Sequence, residues 1–158
     1  ISYSEYYEDL DPWFLRNIGP NFTELRGKII SLLSEESKLM EIVKLIGSDV
    51  LPDSQKLTIE ISKVIRTGFL QQNAFHKDDT FVPITKQMQM MEVIVYLQKT
   101  GASLVSEGIP IRALVETGLF DKLNKMKYDV PNDKPELFKN YYTDIDAAAK
   151  KLRAEHIA

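Results

Sequence analysis

Residues 21–47 read NFTELRGKIISLLSEESKLMEIVKLIG, and the spacing of their apolar side chains decides the fold class. Phe22, Leu25, Ile29, Leu32, Leu39, Val43 and Ile46 recur at the three-to-four-residue interval that lines one face of an α-helix. Pro20 and Asn21 fit a helix start, and Gly47 fits the left-handed position that follows a helix end. The polar run Ser34, Glu35, Glu36, Ser37 lies midway and predicts a bend between two helices.

Outward from this stretch the same period continues. The turn GSDVLPDS (residues 47–54) carries two acids and Pro52, and Asp53 or Ser54 can cap the following helix by accepting backbone N–H bonds. Leu57, Ile61, Val64 and Ile65 share the next helical face, which delivers Phe69 and Leu70 to an amide-rich run. Pro83 opens another long helix with Ile84, Met88, Met91 and Val95 in line; Met88, Met90 and Met91 have core spacing, and packing is their default role. Pro110 and Gly118 punctuate two shorter helices, and KPELFKNYYTDIDAAAKKLRAEHIA reads as a surface helix rich in Ala and Lys. Strand-like alternation is absent from the pattern. The expectation is an all-α bundle of about six helices in one domain over 1–158, with 129–158 as its terminal helix and continuity weakest around YDVPNDKPE.

The bulk numbers narrow the function classes. A chain of 158 residues can bury a core, and 44% apolar with 27% charged residues is ordinary for a folded domain. A net charge of −3 gives no reason to expect nucleic acid, which needs clustered excess Lys and Arg. Without cysteine, disulfides, zinc–thiolate sites and thiol nucleophiles are excluded. No apolar run approaches the length of a membrane span, so direct membrane insertion is not expected. The chain opens on Ile1 without an initiator Met, which reads as an excised piece of a longer polypeptide. The first twenty residues are unusually aromatic and acidic, with Tyr3, Tyr6, Tyr7, Trp13 and Phe14.

Chemistry-bearing motifs are few. His76 with Asp78 and Asp79 is the one His–carboxylate cluster, but a metal or acid–base role needs a further partner, and His156 lies far along the chain. Acids ahead of the Pro83 helix more often serve its N-terminus. No G-x-S-x-G, G-x-x-x-x-G-K-[ST] or G-x-G-x-x-G occurs, so this chain alone is not expected to hydrolyse ATP. The run FLQQNAF (residues 69–75) has two readings. It is either a helix end whose amides satisfy orphan carbonyls, which composition favours, or the edge of a site for a planar ligand such as adenine.

The run LLSEESKLMEIVKLIGSDVLPDSQKLTIEISKVIRTGFLQQNAFHKDDTF resembles the C-terminal helical domain of the catalytic A subunit of archaeal and vacuolar-type rotary ATP synthases. The likeness reaches back to SYSEYY and WFLRNIGPNFTELR and on to the helix after Pro83, and FLQQNAF is its most specific part. From Gly118 onward it thins. The resemblance implies a domain that follows a nucleotide-binding P-loop domain, in a ring where three copies alternate with three non-catalytic B subunits around a central rotor stalk. Phe75 would line the adenine side of the catalytic pocket, with Ala74 giving the ring room and Gln72 and Asn73 close by. ATP or ADP with Mg²⁺ would bind the parent subunit, and the isolated piece would bind neither tightly. The turn with Asp49, Val50, Leu51, Pro52 and Asp53 would press on the rotor. That turn is much less acidic than the corresponding lever of F-type enzymes, so apolar contact through Val50 and Leu51 would matter more than charge. Lys77 stands where the family often has Pro, and Asn-Ala-Phe in place of a Gly-Tyr pair looks archaeal-type. The implied location is the cytoplasmic face of the membrane, within the peripheral ATPase sector. The competing expectation is a stand-alone helical module that binds partner proteins, and a metal-dependent hydrolase at His76 is a remote third.

Overall fold

The computed structural model describes residues 19–70 and 82–156. Helix α1 spans Gly19–Ile46, 28 residues without interruption. The bend expected at Ser34–Ser37 is therefore absent. The buried stripe runs through Leu32, Glu36 and Leu39, so Glu36 takes an inward position at helical spacing while its neighbours Ser34, Glu35 and Ser37 face solvent. A polar run bends a helix only when its side chains compete for the backbone or when Pro or Gly breaks the ladder, and neither happens here.

Gly47 ends α1 with φ 85° and ψ 164°, a backbone region that a Cβ makes costly, and its N–H donates to Val43 O at 2.9 Å. One turn of 3₁₀-helix, Ser48–Val50, leads to α2, Asp53–Val64, which folds back along α1. Pro52 occupies the N-cap of α2, and no side chain caps that end. The expectation that Asp53 or Ser54 caps α2 is corrected here for a tertiary reason. The Asp53 Oδ2 accepts the backbone N–H of Ile111 at 3.0 Å, serving the start of another helix 58 residues away. Helix α2 passes directly into a π-helical turn, Ile65–Leu70.

Helix α3, Ile84–Ser106, follows Pro83 as the sequence pattern predicts, and it forms the centre of the bundle. Met90, Met91, Val93, Ile94 and Leu97 are each no more than 1% exposed, which bears out packing as the role of the methionines Met90 and Met91. Three short helices follow: α4 (Ile111–Val115), which starts beside Asp53, and α5 (Leu119–Asn124) and α6 (Met126–Asp129), which pack on the π-helical turn. Gly118 precedes α5 in the left-handed conformation. After a 3₁₀ turn at Pro135–Phe138, helix α7, Lys139–His156, lies on α3 and buries Tyr141, Ile145, Ala149 and Leu152 along one face. Its borders are fastened by polar contacts: the Tyr96 hydroxyl donates to the Asp146 carboxylate, Lys122 pairs with Asp144, and Arg153 Nη2 lies 2.8 Å from Glu107 Oε2. The described residues hold seven α-helices and no strand, which establishes the all-α bundle.

Candidate functional site

Gln72, Asn73, Ala74 and Phe75, together with His76, Asp78 and Asp79, lie outside the described residues. What the structure gives is the frame from which that stretch departs and to which it returns. On the leading side, the π-helical turn buries Ile65, Gly68 and Phe69. Gly68 sits so close to α5 that a Cβ would come within 2.9 Å of both Asn124 Cα and Leu123 O. On the trailing side Val82 is buried, and the Gln87 amide Nε2 donates to its carbonyl at 3.0 Å. Lys86, one residue earlier and almost wholly buried, donates through Nζ to Lys127 O and to Asn132 Oδ1, both at 2.8 Å. Gly68, before residues 71–81 in the chain, and Lys86, after them, thus both meet the segment formed by α5, α6 and Asn132.

A π-helical turn carries hydrogen bonds of poorer geometry than an α-helix and persists where tertiary contacts favour it; such turns recur at functional sites. Here the contacts are visible. Apart from the close approach of Gly68, Arg66 projects toward α1 and holds the Glu36 carboxylate through Nη2 to Oε1 at 2.7 Å and Nε to Oε2 at 3.4 Å. Glu36 is 8% exposed, and its hydrogen bond raises the Arg66 guanidinium above its ordinary pKa. Because Arg66 itself is half exposed, water screens the pair, and its net contribution to stability is of order 1 kcal/mol. One helical turn away, the Ser62 hydroxyl donates to Leu32 O at 3.3 Å across the same seam.

The opposite end of the α1–α2 hairpin is the turn at 47–53. Asp49 and Val50 are exposed, whereas Leu51 points inward and packs with Leu39 and Ile59 in a small cluster bordered by Met40 and Val43. Asp53 is occupied with Ile111, as described above. Sequence spacing placed Ile46 in the buried stripe, but it is 63% exposed. With Ile42, Leu45 and Val50 it accounts for four of the six large apolar side chains that stand exposed among the described residues. Ile42, Leu45 and Ile46 share one helical face by their spacing, and Leu45 is 84% exposed. The signal was present in the sequence as Leu45 and Ile46 side by side, too many apolar residues for one inward stripe.

Among the described residues no group of three His, Asp or Glu side chains could hold a metal ion. His156 is exposed, with its Nδ1 3.0 Å from Leu152 O. A groove of about 670 Å³ between α1, α3 and α7 is lined by Leu25, Lys28, Glu92, Val95, Tyr96 and Tyr142 among others. Burial raises the Glu92 carboxyl, and it pushes the Tyr142 phenol up to about 12 with help from the charge of Glu92.

Comparison with known proteins shows the family. The family described as the C-terminal domain of V and A type ATP synthase matches residues 11–114. The chain belongs to this family. The V-type ATP synthase alpha chain 2 of Clostridium tetani is 46% identical over 132 residues, 84% of this chain and 22% of that protein. The V-type ATP synthase alpha chain of Halothermothrix orenii is 42% identical over 151 residues, covering 96% of this chain and 26% of that protein. The A subunit of the A-type ATP synthase of Staphylothermus marinus is 37% identical over 156 residues, covering 98% and 26%. The ATP synthase C-terminal domain therefore spans about a quarter of the length of the curated relatives it matches. The last two likenesses extend well past Gly118, where the resemblance read from the sequence thins. A stand-alone interaction module is not favoured by these findings. No helix among the described residues of the synthase domain is long and apolar enough to cross a membrane.

Proposed function

We propose that this domain completes the adenine side of a catalytic nucleotide site in the parent chain of a rotary ATP synthase, and that it passes the closure of that site to a central stalk. Phe75, with Ala74, Asn73 and Gln72 beside it, is the adenine-side edge. In the chain this stretch follows the π-helical turn and precedes the buried Val82. The observation that carries the rotor half of the reading is the apolar tip. Ile42, Leu45, Ile46 and Val50 expose apolar surface at the turn end of a two-helix hairpin, a cost that a partner surface removes. Leu51 and Asp53 support the tip from within, Leu51 by packing and Asp53 by its bond to Ile111, while Asp49 and Pro52 lie on its surface.

The phosphates and Mg²⁺ find no fit among the described residues. The chain has no G-x-x-x-x-G-K-[ST] loop, and its described residues hold no acidic cluster suited to a cation. Stacking of a base on one aromatic ring contributes about 1–3 kcal/mol, which alone corresponds to a dissociation constant between roughly 6 mM and roughly 0.2 M. The isolated domain is accordingly inactive and binds nucleotide weakly, and the parent chain provides the rest of the site. Within the assembled enzyme the domain contacts B subunits and the stalk on the cytoplasmic face of the membrane.

The test uses Leu45→Asp and Ile46→Asp in the parent chain. Both side chains are exposed, so the substitutions leave the folding transition of the domain close to wild type while they weaken association of the ring with the stalk. Unchanged stalk affinity in both variants would refute the rotor assignment. Phe75→Ala tests the other half separately: it weakens nucleotide binding more than it slows phosphoryl transfer, and unchanged affinity with a normal fold would count against the adenine edge.

A further inference from the structure

We infer that the Arg66–Glu36 ion pair is a cross-brace that makes the α1–α2 hairpin move as one lever, so that Arg66 is a positioning residue for coupling the nucleotide site to the stalk. The inference rests on the function proposed above. Helices α1 and α2 are joined covalently at the tip by residues 47–52. At the other end of α2 the chain passes through the π-helical turn into residues 71–81, so any displacement of that stretch reaches the turn first. A two-helix hairpin joined only at its tip can open like tweezers, and motion at the turn would then tilt α2 while leaving α1 behind.

Core packing and the Ser62–Leu32 bond hold the seam of α1 against α2, and the ion pair carries that hold into the turn beyond α2. Arg66 lies in the turn itself and grips Glu36, which sits on α1 between the buried Leu32 and Leu39. The two-point contact of a planar guanidinium with a carboxylate fixes orientation as well as distance, which a point charge such as Lys does less well. From Glu36, α1 continues without Pro or Gly for ten residues to Ile46, about 15 Å at the helical rise. The brace therefore joins the turn to the helix that carries Ile42, Leu45 and Ile46. Gly68, pressed against the backbone of Leu123 and Asn124, gives the turn a fulcrum on α5 next to the brace. Sequence spacing alone read the Glu36 region as a bend, which would have placed a joint where the structure has a strut.

The experiment measures the affinity of a non-hydrolysable ATP analogue for the assembled catalytic ring, with and without the central stalk. The ratio of the two affinities is the coupling factor, and couplings between sites commonly amount to about 5–150-fold. Arg66→Ala and Glu36→Gln are each expected to lower this factor severalfold, with the affinity of the stalk-free ring staying within about twofold of wild type. Arg66→Lys keeps the charge without the fork and retains an intermediate factor; if Arg66→Ala fails to assemble, this variant and Glu36→Gln carry the test. The doubly reversed Glu36→Arg, Arg66→Glu protein recovers part of the coupling. A full coupling factor in assembled Arg66→Ala overturns the inference. So does an equal loss of affinity with and without the stalk, which would mark the pair as a local support of the nucleotide stretch. A wild-type ring whose affinity ignores the stalk would instead overturn the rotor reading, and the inference with it.

Discussion

The same substitution, Gly to Ala, is expected to change the stability of this domain in opposite directions at two positions. At Gly27, within α1, a new Cβ meets nothing within 4 Å. Ala there gains the helical propensity difference of about 0.5–1 kcal/mol. At Gly68 the Cβ would lie 2.9 Å from Asn124 Cα and 2.9 Å from Leu123 O, both backbone atoms that cannot turn aside. Relieving the overlap requires the π-helical turn or α5 to shift, and strain of this kind costs about 1–3 kcal/mol. The lower entropy of the unfolded Ala chain offsets roughly 0.4–1 kcal/mol of that. The net expectation is a destabilisation of about 1–2 kcal/mol at Gly68. Gly101 falls between them, because its Cβ would meet Leu57 Cδ1 at 2.9 Å and Leu114 Cδ2 at 3.0 Å, side-chain ends with room to rotate. For a domain of this size about 1 kcal/mol moves the thermal midpoint by ~2–4 °C. Thermal unfolding followed by circular dichroism should thus order the three as Gly27→Ala above wild type, Gly101→Ala near or slightly below it, and Gly68→Ala lowest. A Gly68→Ala protein as stable as wild type would refute the packing of the π-helical turn on α5.

Other consequences of the structure are as direct. Leu51→Ala empties the cluster with Leu39 and Ile59 and should cost about 2–3 kcal/mol in urea unfolding, whereas Val50→Ala at the exposed tip should be within about 0.5 kcal/mol of wild type; equal effects would mean that the turn is oriented differently. Asp53→Ala removes the acceptor for the Ile111 N–H and should cost about 1 kcal/mol, with Asp53→Asn recovering most of it. Burial raises the Glu92 carboxyl above its ordinary value of 4.5, so the folded state favours its protonated form. The stability linked to this group is complete below 4.5 and lost as pH rises through the folded value. Glu92→Gln should therefore leave the midpoint unchanged in acid and raise it near neutral pH; a larger gain in acid would contradict the assignment.

How far the sequence could be read depends on which forces are local. Helical spacing from Phe22 to Ile46 and from Ile84 to Val95, with Pro83, Pro110 and Gly118 between elements, made the all-α fold and the long central helix legible, because backbone propensity and a single apolar stripe act within a few residues. The likeness carried by FLQQNAF led to the right family for the same reason, a contiguous run. Tertiary structure decided the rest. It turned the polar Ser34–Ser37 run from a bend into a strut, since Glu36 is stabilised by an arginine 30 residues away. It took Asp53 from the cap of its own helix to the start of α4, 58 residues on. It divided Val50 from Leu51, neighbours of similar hydrophobicity, into an exposed tip and a buried support. Each of these outcomes depends on a partner distant in sequence, and partners become defined only when the chain has folded and brought them within a few ångströms.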